Sequence, residues 1–379
     1  MATEKNPLHA LHEQGQSVWL DYIRRGIIHN GELQGMIERY DLRGVTSNPS
    51  IFEEAMGKSD DYDDELEQLA ADGVEAGAAF EQMAVKDIQA TCDVFRPVYD
   101  AAGGHDGFVS LEVSPLLADD ARQTMDEARK LWKLVDRPNL MIKVPGTDAG
   151  IPAIEQLIAE GLNVNITLLF SIQSYEAVME AYLRGLERRA EAGQPLDRSA
   201  SVASFFVSRV DGSVDAALEK IVAQGGPNAE KAKGVMGRAA IANAKMAYLR
   251  FTEVFAGERW ERLKAKGARV QRPLWASTST KNPAYRDVIY VEELVGPETV
   301  NTIPLATIKA FADHGEVRRT VDLELDRARA DLATLQELGV DLDQVTDALQ
   351  VEGVEKFAKS FRQMIETVGE KLARVAQGT

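Results

Sequence analysis

The sequence contains a single cysteine, Cys92, in 379 residues. One cysteine excludes an intrachain disulfide and a thiolate-rich zinc site. The lack of disulfides fits a reducing compartment. Histidine is scarce as well. The five are His9, His12, His29, His105 and His314, and only the first two lie close together. They read as surface histidines, so no metal site is expected. No stretch of about 18 apolar residues occurs, and no membrane span is expected. The opening stretch MATEKNPLHALHEQ lacks the charged-then-apolar form of a signal peptide, so a cytoplasmic protein is expected. Basic residues are the minority, 43 against 60 acidic ones, for a formal charge of −17. That balance argues against nonspecific binding to nucleic acid. It leaves open a small phosphorylated substrate, which a few local groups can hold.

Several motifs are incomplete. Gly57-Lys58-Ser59 looks like the end of a phosphate-binding loop, but Phe52 stands where the first glycine belongs. Asn165-Ile166-Thr167 fits a glycosylation sequon but lies in an expected buried strand. A Gly-x-Ser-x-Gly elbow is missing. Thr278 takes the serine position of a Ser-x-x-Lys motif at Lys281. These gaps weigh against nucleotide hydrolysis and serine acyl chemistry.

What is present is a globular balance of 45% hydrophobic and 27% charged residues, with no long Pro/Gly/Ser linker and no internal repeat. Short apolar runs at Ser17–Asp21, Gly44–Thr46, Phe108–Val113, Leu140–Val144, Val164–Leu168, Ser201–Val207, Pro273–Ser277 and Val300–Ile303 read as eight strands. Between most of them lie patterns of helical period, such as Asp119–Val135, Ile151–Ala159 and Ile172–Ala192. Several runs are apolar at successive positions, which suits a parallel sheet covered by helices. Eight strand–helix units predict a (β/α)₈ TIM barrel, α/β in class, as a single domain across residues 1–379. A doubly wound sheet is the runner-up, but the Gly-rich first turn that usually marks it does not follow Asp21. From about Val317 onward two amphipathic helices are expected to pack on the outside of the barrel.

Ionisable residues inside or just after the greasy runs are the candidates for chemistry, because strand ends feed the catalytic face of such a barrel. Lys143 interrupts LMIKVPG. A buried amine is favoured in its neutral form, and a neutral amine can form a Schiff base with a carbonyl. A lysine paired with a carboxylate is the alternative. Glu112, in FVSLEVSP, could be that partner or a general acid/base. Asp21 closes SVWLD and could cap the next element or transfer protons. Arg209 follows SFFVS at an expected helix start, where a guanidinium can clamp phosphate or make a surface ion pair. Thr46-Ser47-Asn48-Pro49 and Asn165-Ile166-Thr167 can fix sugar hydroxyls or make ordinary turns.

The segments GVTSNPSIF (44–52), LMIKVPGT (140–147), NVNITLLFS (163–171) and SFFVSRVD (204–211) together resemble the transaldolase family, in order and in spacing. The resemblance runs from about Asp21 to Pro304. It implies a class I aldolase-type barrel whose fourth strand carries a Schiff-base lysine, here Lys143. The family moves a dihydroxyacetone unit from sedoheptulose 7-phosphate to glyceraldehyde 3-phosphate, without cofactor or metal. Carried over by motif, Asp21 exchanges the proton of the C4 hydroxyl, and Glu112 and Thr167 hold a shuttling water. Asn48 and Asn165 bind the hydroxyls of the retained three-carbon unit with Ser204 close by, Thr46 is a further substrate-binding candidate, Phe206 lines the site, and Arg209 binds the phosphate. One departure concerns the phosphate. The family often ends its seventh strand with Ser and, two residues later, Arg. Here Ser277 matches, Ser279 replaces the arginine, and Lys281 is the nearest candidate for the charge. The segment Asn282–Pro297 is a candidate loop over this side.

Two other readings compete. A fructose 6-phosphate aldolase would break the same bond and release free dihydroxyacetone. Such enzymes are shorter and often carry tyrosine where Phe206 stands here, which favours transfer. A catalytically silent barrel would have lost Asp21, Glu112 or Lys143, and all are present. The expected partners are sugar phosphates, with no nucleic acid, no membrane, and a monomer or homodimer as the active unit.

Overall fold

A computed structural model describes residues 6–378, so the first five residues of the opening stretch and Thr379 lie outside the described residues. Eight parallel strands close into a barrel in sequence order. They are β1 (Gln16–Asp21), β2 (Leu42–Thr46), β3 (Phe108–Glu112), β4 (Leu140–Pro145), β5 (Val164–Leu169), β6 (Ser201–Phe206), β7 (Gln271–Ala276) and β8 (Thr299–Ile303). Pairing of β1 with β8, through Ser17 opposite Val300 and Leu20 opposite Ile303, closes the ring. Each expected strand overlaps one of these, with ends moved by a residue or two.

The strands form where the sequence is apolar on both sides. Val109, Leu140, Ile142, Val144, Ile166, Ala203 and Leu274 are all fully buried, between the barrel interior and the helical ring. Polar residues at the strand ends start the succeeding helices. Asn48 caps the helix Pro49–Lys58 by accepting from the Ile51 N–H at 3.1 Å, with Pro49 in the first turn. Ser171 caps Ile172–Glu191 in the same way, through Ser174 N–H at 3.0 Å.

The N-terminal end of the barrel is plugged by polar groups. Arg272 donates to Ser17 Oγ at 2.6 Å and to the Thr299 carbonyl at 2.7 Å, and lies 3.8 Å from Asp106. Asp106 also accepts from Trp19 Nε1 at 2.9 Å and from the Ser17 hydroxyl.

The C-terminal tail differs from its expected place. Its first helix begins at Leu325 and packs against Ala239–Val254 on the outside, as amphipathicity suggests. The last helix, Leu342–Gly378, reaches the barrel mouth. Gln350 Nε2 donates to the carbonyls of Gly146 and Leu168, at 3.1 and 3.2 Å. Gly353 sits so close that a Cβ there would come 2.9 Å from Leu168 Cδ2. Ser360 meets Ser50 at 2.8 Å. Among the described residues no helix is long and apolar enough to cross a membrane.

Candidate active site

Lys143 ends up beside Glu112 because β3 and β4 pair with those two residues opposite each other. The ammonium nitrogen lies 3.1 Å from Glu112 Oε2, and both side chains are almost wholly buried. Its well-aligned hydrogen bond goes instead to the Ser47 carbonyl, at 3.0 Å. Neither Glu112 oxygen accepts an aligned hydrogen bond from a protein group, and Thr167 Oγ1 is likewise without a protein partner. Burial pushes the Glu112 carboxyl above the usual range, against the pull of Lys143. That favours a neutral acid able to give and take a proton. Phe357 of the last helix roofs the site, its ring centroid 5.5 Å from Lys143 Nζ.

Asp21, at the end of β1, accepts from Thr46 Oγ1 at 2.7 Å, and Thr46 lies 2.5 Å from Thr302 Oγ1. Burial raises the Asp21 carboxyl. The Thr46 hydrogen bond, then Lys143, Lys281 and Arg209, oppose it. A raised carboxyl flanked by cations is suited to exchanging a proton with a hydroxyl.

These groups line a cavity of about 260 Å³ at the C-terminal mouth. Asp21, Thr46, Asn48, Lys143, Thr167, Ser204, Phe206, Arg209, Ser277 and Lys281 all contribute to its wall. Asn48 spends its Oδ1 on the helix cap, which leaves its amide nitrogen for a ligand. Asn165 is placed differently. It is fully buried, donates to Ser110 Oγ at 2.9 Å and accepts from Ser204 Oγ at 2.7 Å. One N–H and one lone pair of its amide are used in this way, so it orients Ser204 and keeps one donor and one lone pair in reserve.

Two strand ends are bent at the rim. Leu168 and Ser277 have φ of 63° and 56°, in the left-handed region that side chains avoid. At Leu168 the β5–β6 register also shifts, which turns its carbonyl toward Gln350. Ser277 is held by Ser208, hydroxyl to hydroxyl at 2.9 Å. Arg209, in the first turn of Ser208–Gln224, lies over the Phe206 ring at 5.2 Å, and burial lowers its guanidinium below the ordinary value. Lys281 donates to Ser279 at 2.7 Å. The Asn282–Pro297 segment is tied down by Tyr285 to Asp215 and Tyr290 to Asp211, each at 2.7 Å. Ser50, Thr302, Lys356 and Phe357 also line the cavity and were not expected from the sequence.

A profile of the Transaldolase/Fructose-6-phosphate aldolase family matches residues 18–368. The chain belongs to this family. It is 50% identical to a protein named transaldolase from Frankia alni, over 97% of this chain and 98% of that one. A transaldolase from Thermobifida fusca is 48% identical, over 97% and 99% of the two chains. Transaldolase 2 of Nostoc punctiforme is 46% identical, over 97% and 98%.

Proposed function

We propose that this chain is an enzyme that carries out the transaldolase reaction. It transfers a dihydroxyacetone unit from sedoheptulose 7-phosphate to glyceraldehyde 3-phosphate, giving erythrose 4-phosphate and fructose 6-phosphate. The observation that carries this reading is Lys143, an amine buried on β4 at the wall of a cavity, 3.1 Å from an acid whose carboxyl is raised by burial.

The Lys143 amine attacks the ketose carbonyl. Glu112 and Thr167 pass protons through a water as the carbinolamine loses its hydroxyl. Their buried oxygens, which have no aligned protein hydrogen bond, are suited to that. The resulting iminium draws electrons from the C3–C4 bond. Asp21 takes the C4 hydroxyl proton as that bond breaks and the aldose leaves. The enamine then adds to the incoming aldehyde, Asp21 returns the proton, and hydrolysis frees Lys143. Asn48 and Ser204 hold hydroxyls of the retained unit, with Asn165 fixing Ser204. Phe206 and Phe357 keep water from the enamine, and Arg209, Ser277 and Lys281 take the phosphate. A cytoplasmic setting agrees with the single cysteine, Cys92, being free and buried. One or two chains form the active unit.

The test compares product formation with and without an acceptor aldehyde. Transfer predicts erythrose 4-phosphate and fructose 6-phosphate in equal amounts, and little free dihydroxyacetone when acceptor is omitted. Free dihydroxyacetone released at the transfer rate would identify an aldolase instead. With Asp21→Asn, cleavage in a single turnover should slow by about 10²–10⁴-fold, while Schiff-base formation persists.

A further inference from the structure

Three cations from three distant parts of the chain line one cavity: Arg209 after β6, Lys281 after β7, and Lys356 on the last helix. Among the described residues, none has a carboxylate within ion-pair distance. The fourth cation of the cavity, Lys143, does have one, Glu112. Exposed lysines on this molecule commonly find acids, as Lys130 does with Glu81 and Lys231 with Glu337. Gathering three like charges is unfavourable, Asp21 and Glu352 act on Arg209 only from beyond ion-pair distance, and an anion between the three reverses the sign of the interaction. Arg209 is the largest influence on the Lys356 ammonium and lowers its proton affinity, followed by partial burial and then by Lys281. Hydroxyls of Ser277 and Ser279 lie on the same wall.

The backbone of Lys356 is fixed where it is needed. Its neighbour Phe357 is buried over Lys143, and Gln350 ties the helix to the rim two turns earlier. From that anchored turn the Lys356 side chain contributes to the cavity wall.

We propose that Lys356 is a substrate-binding residue, and that it holds the phosphate of the sugar together with Arg209 and Lys281. The proposal rests on reading the cavity as a sugar-phosphate site. A phosphate has three terminal oxygens and nearly two charges, which suits three cations and two hydroxyls. Lys356 thereby supplies, from the last helix, the charge that Ser279 does not. Phosphate binding also clamps the last helix, so substrate and roof close together.

The test measures inorganic phosphate binding by calorimetry, and KM and kcat with fructose 6-phosphate and with fructose as donors to an acceptor aldehyde. Lys356→Ala should weaken inorganic phosphate about 10–100-fold, the worth of a hydrogen bond to a charged group. It should raise KM for fructose 6-phosphate similarly, with a much smaller effect on kcat and on fructose. Lys356→Arg should restore most of the loss. Unchanged phosphate affinity in Lys356→Ala, or equal losses with both donors, would overturn the proposal. The phosphate titration needs no turnover. If the wild-type protein forms no borohydride-reducible adduct with fructose 6-phosphate, the transaldolase reading fails, and the titration still decides the role of Lys356.

Discussion

At the N-terminal end of the barrel the Arg272 guanidinium meets Asp106, Ser17 and the Thr299 carbonyl. At the C-terminal end the Arg209 guanidinium rests on the Phe206 ring and has no carboxylate partner among the described residues. Both ends bury charge, and the C-terminal end has its own pair in Lys143 and Glu112. Only at the first end is the arginine answered by a carboxylate. Pairing and hydrogen bonds offset much of the desolvation cost of a buried ion, whereas an unpaired one leaves that cost unmet within the chain. The contrast separates the end that holds the barrel shut from the end that waits for a ligand.

Replacing Lys143 is the most severe way to break the contrast. Lys143→Met should lower kcat by at least about 10⁴-fold, read from coupled assays of fructose 6-phosphate formation. The protein should stay folded, with a stability cost no larger than the roughly 3–5 kcal/mol of stranding one member of a buried pair, because a similar volume is kept and burial already raises the Glu112 carboxyl. Appreciable turnover would remove Lys143 as nucleophile.

The converse substitution lies at the other end. Arg272→Met should cost roughly 3–5 kcal/mol in urea unfolding, the usual penalty for stranding one member of a buried pair. The folded fraction should retain its kcat. A catalytic loss with no loss of stability would mean that the two ends are not divided in this way.

Asp211 is an intermediate case, a buried carboxylate near the mouth that faces hydroxyl and N–H donors rather than a cation. Burial pushes it up to about 6, against those hydrogen bonds. The folded chain therefore keeps this proton to a higher pH than the unfolded chain, whose aspartate titrates near about 3.9. The stabilisation is complete below about pH 4 and is lost as pH rises to about 6, roughly 2–3 kcal/mol in all. Asp211→Asn should flatten that part of the stability profile. An unchanged slope in urea midpoints between pH 4 and pH 6 would assign it to other groups.

The smallest effect concerns the roof. Gln350→Ala removes two hydrogen bonds to the rim carbonyls of Gly146 and Leu168. It should cost about 1–2 kcal/mol and speed amide exchange in the last helix more than in the strands. Uniform acceleration would mean that the roof is not a separately opening unit.

The strands were legible because each is a dense apolar run, and Lys143 and Glu112 stood out as charges within such runs. The resemblance to the family supplied their roles. The last helix was harder to read. Its amphipathic pattern says that one face is covered but not by what, and so the mouth of the barrel was not foreseen as its partner. Lys356 and Phe357 were missed for that reason, lying more than two hundred residues from Lys143 on a helix that looks like packing. Asn165 shows a second limit. Its residue type suits a sugar hydroxyl, and only the structure reveals that it also links Ser110 to Ser204. Turn chemistry likewise hid the left-handed Leu168 and Ser277, since neither residue type announces a positive φ.

The most direct test of the central claim is borohydride reduction in the presence of fructose 6-phosphate, followed by intact mass and peptide mapping. The account predicts a reduced three-carbon adduct on Lys143 alone, and its disappearance when erythrose 4-phosphate is added before the reductant. A folded protein with no adduct, or with the adduct on another lysine, would contradict it.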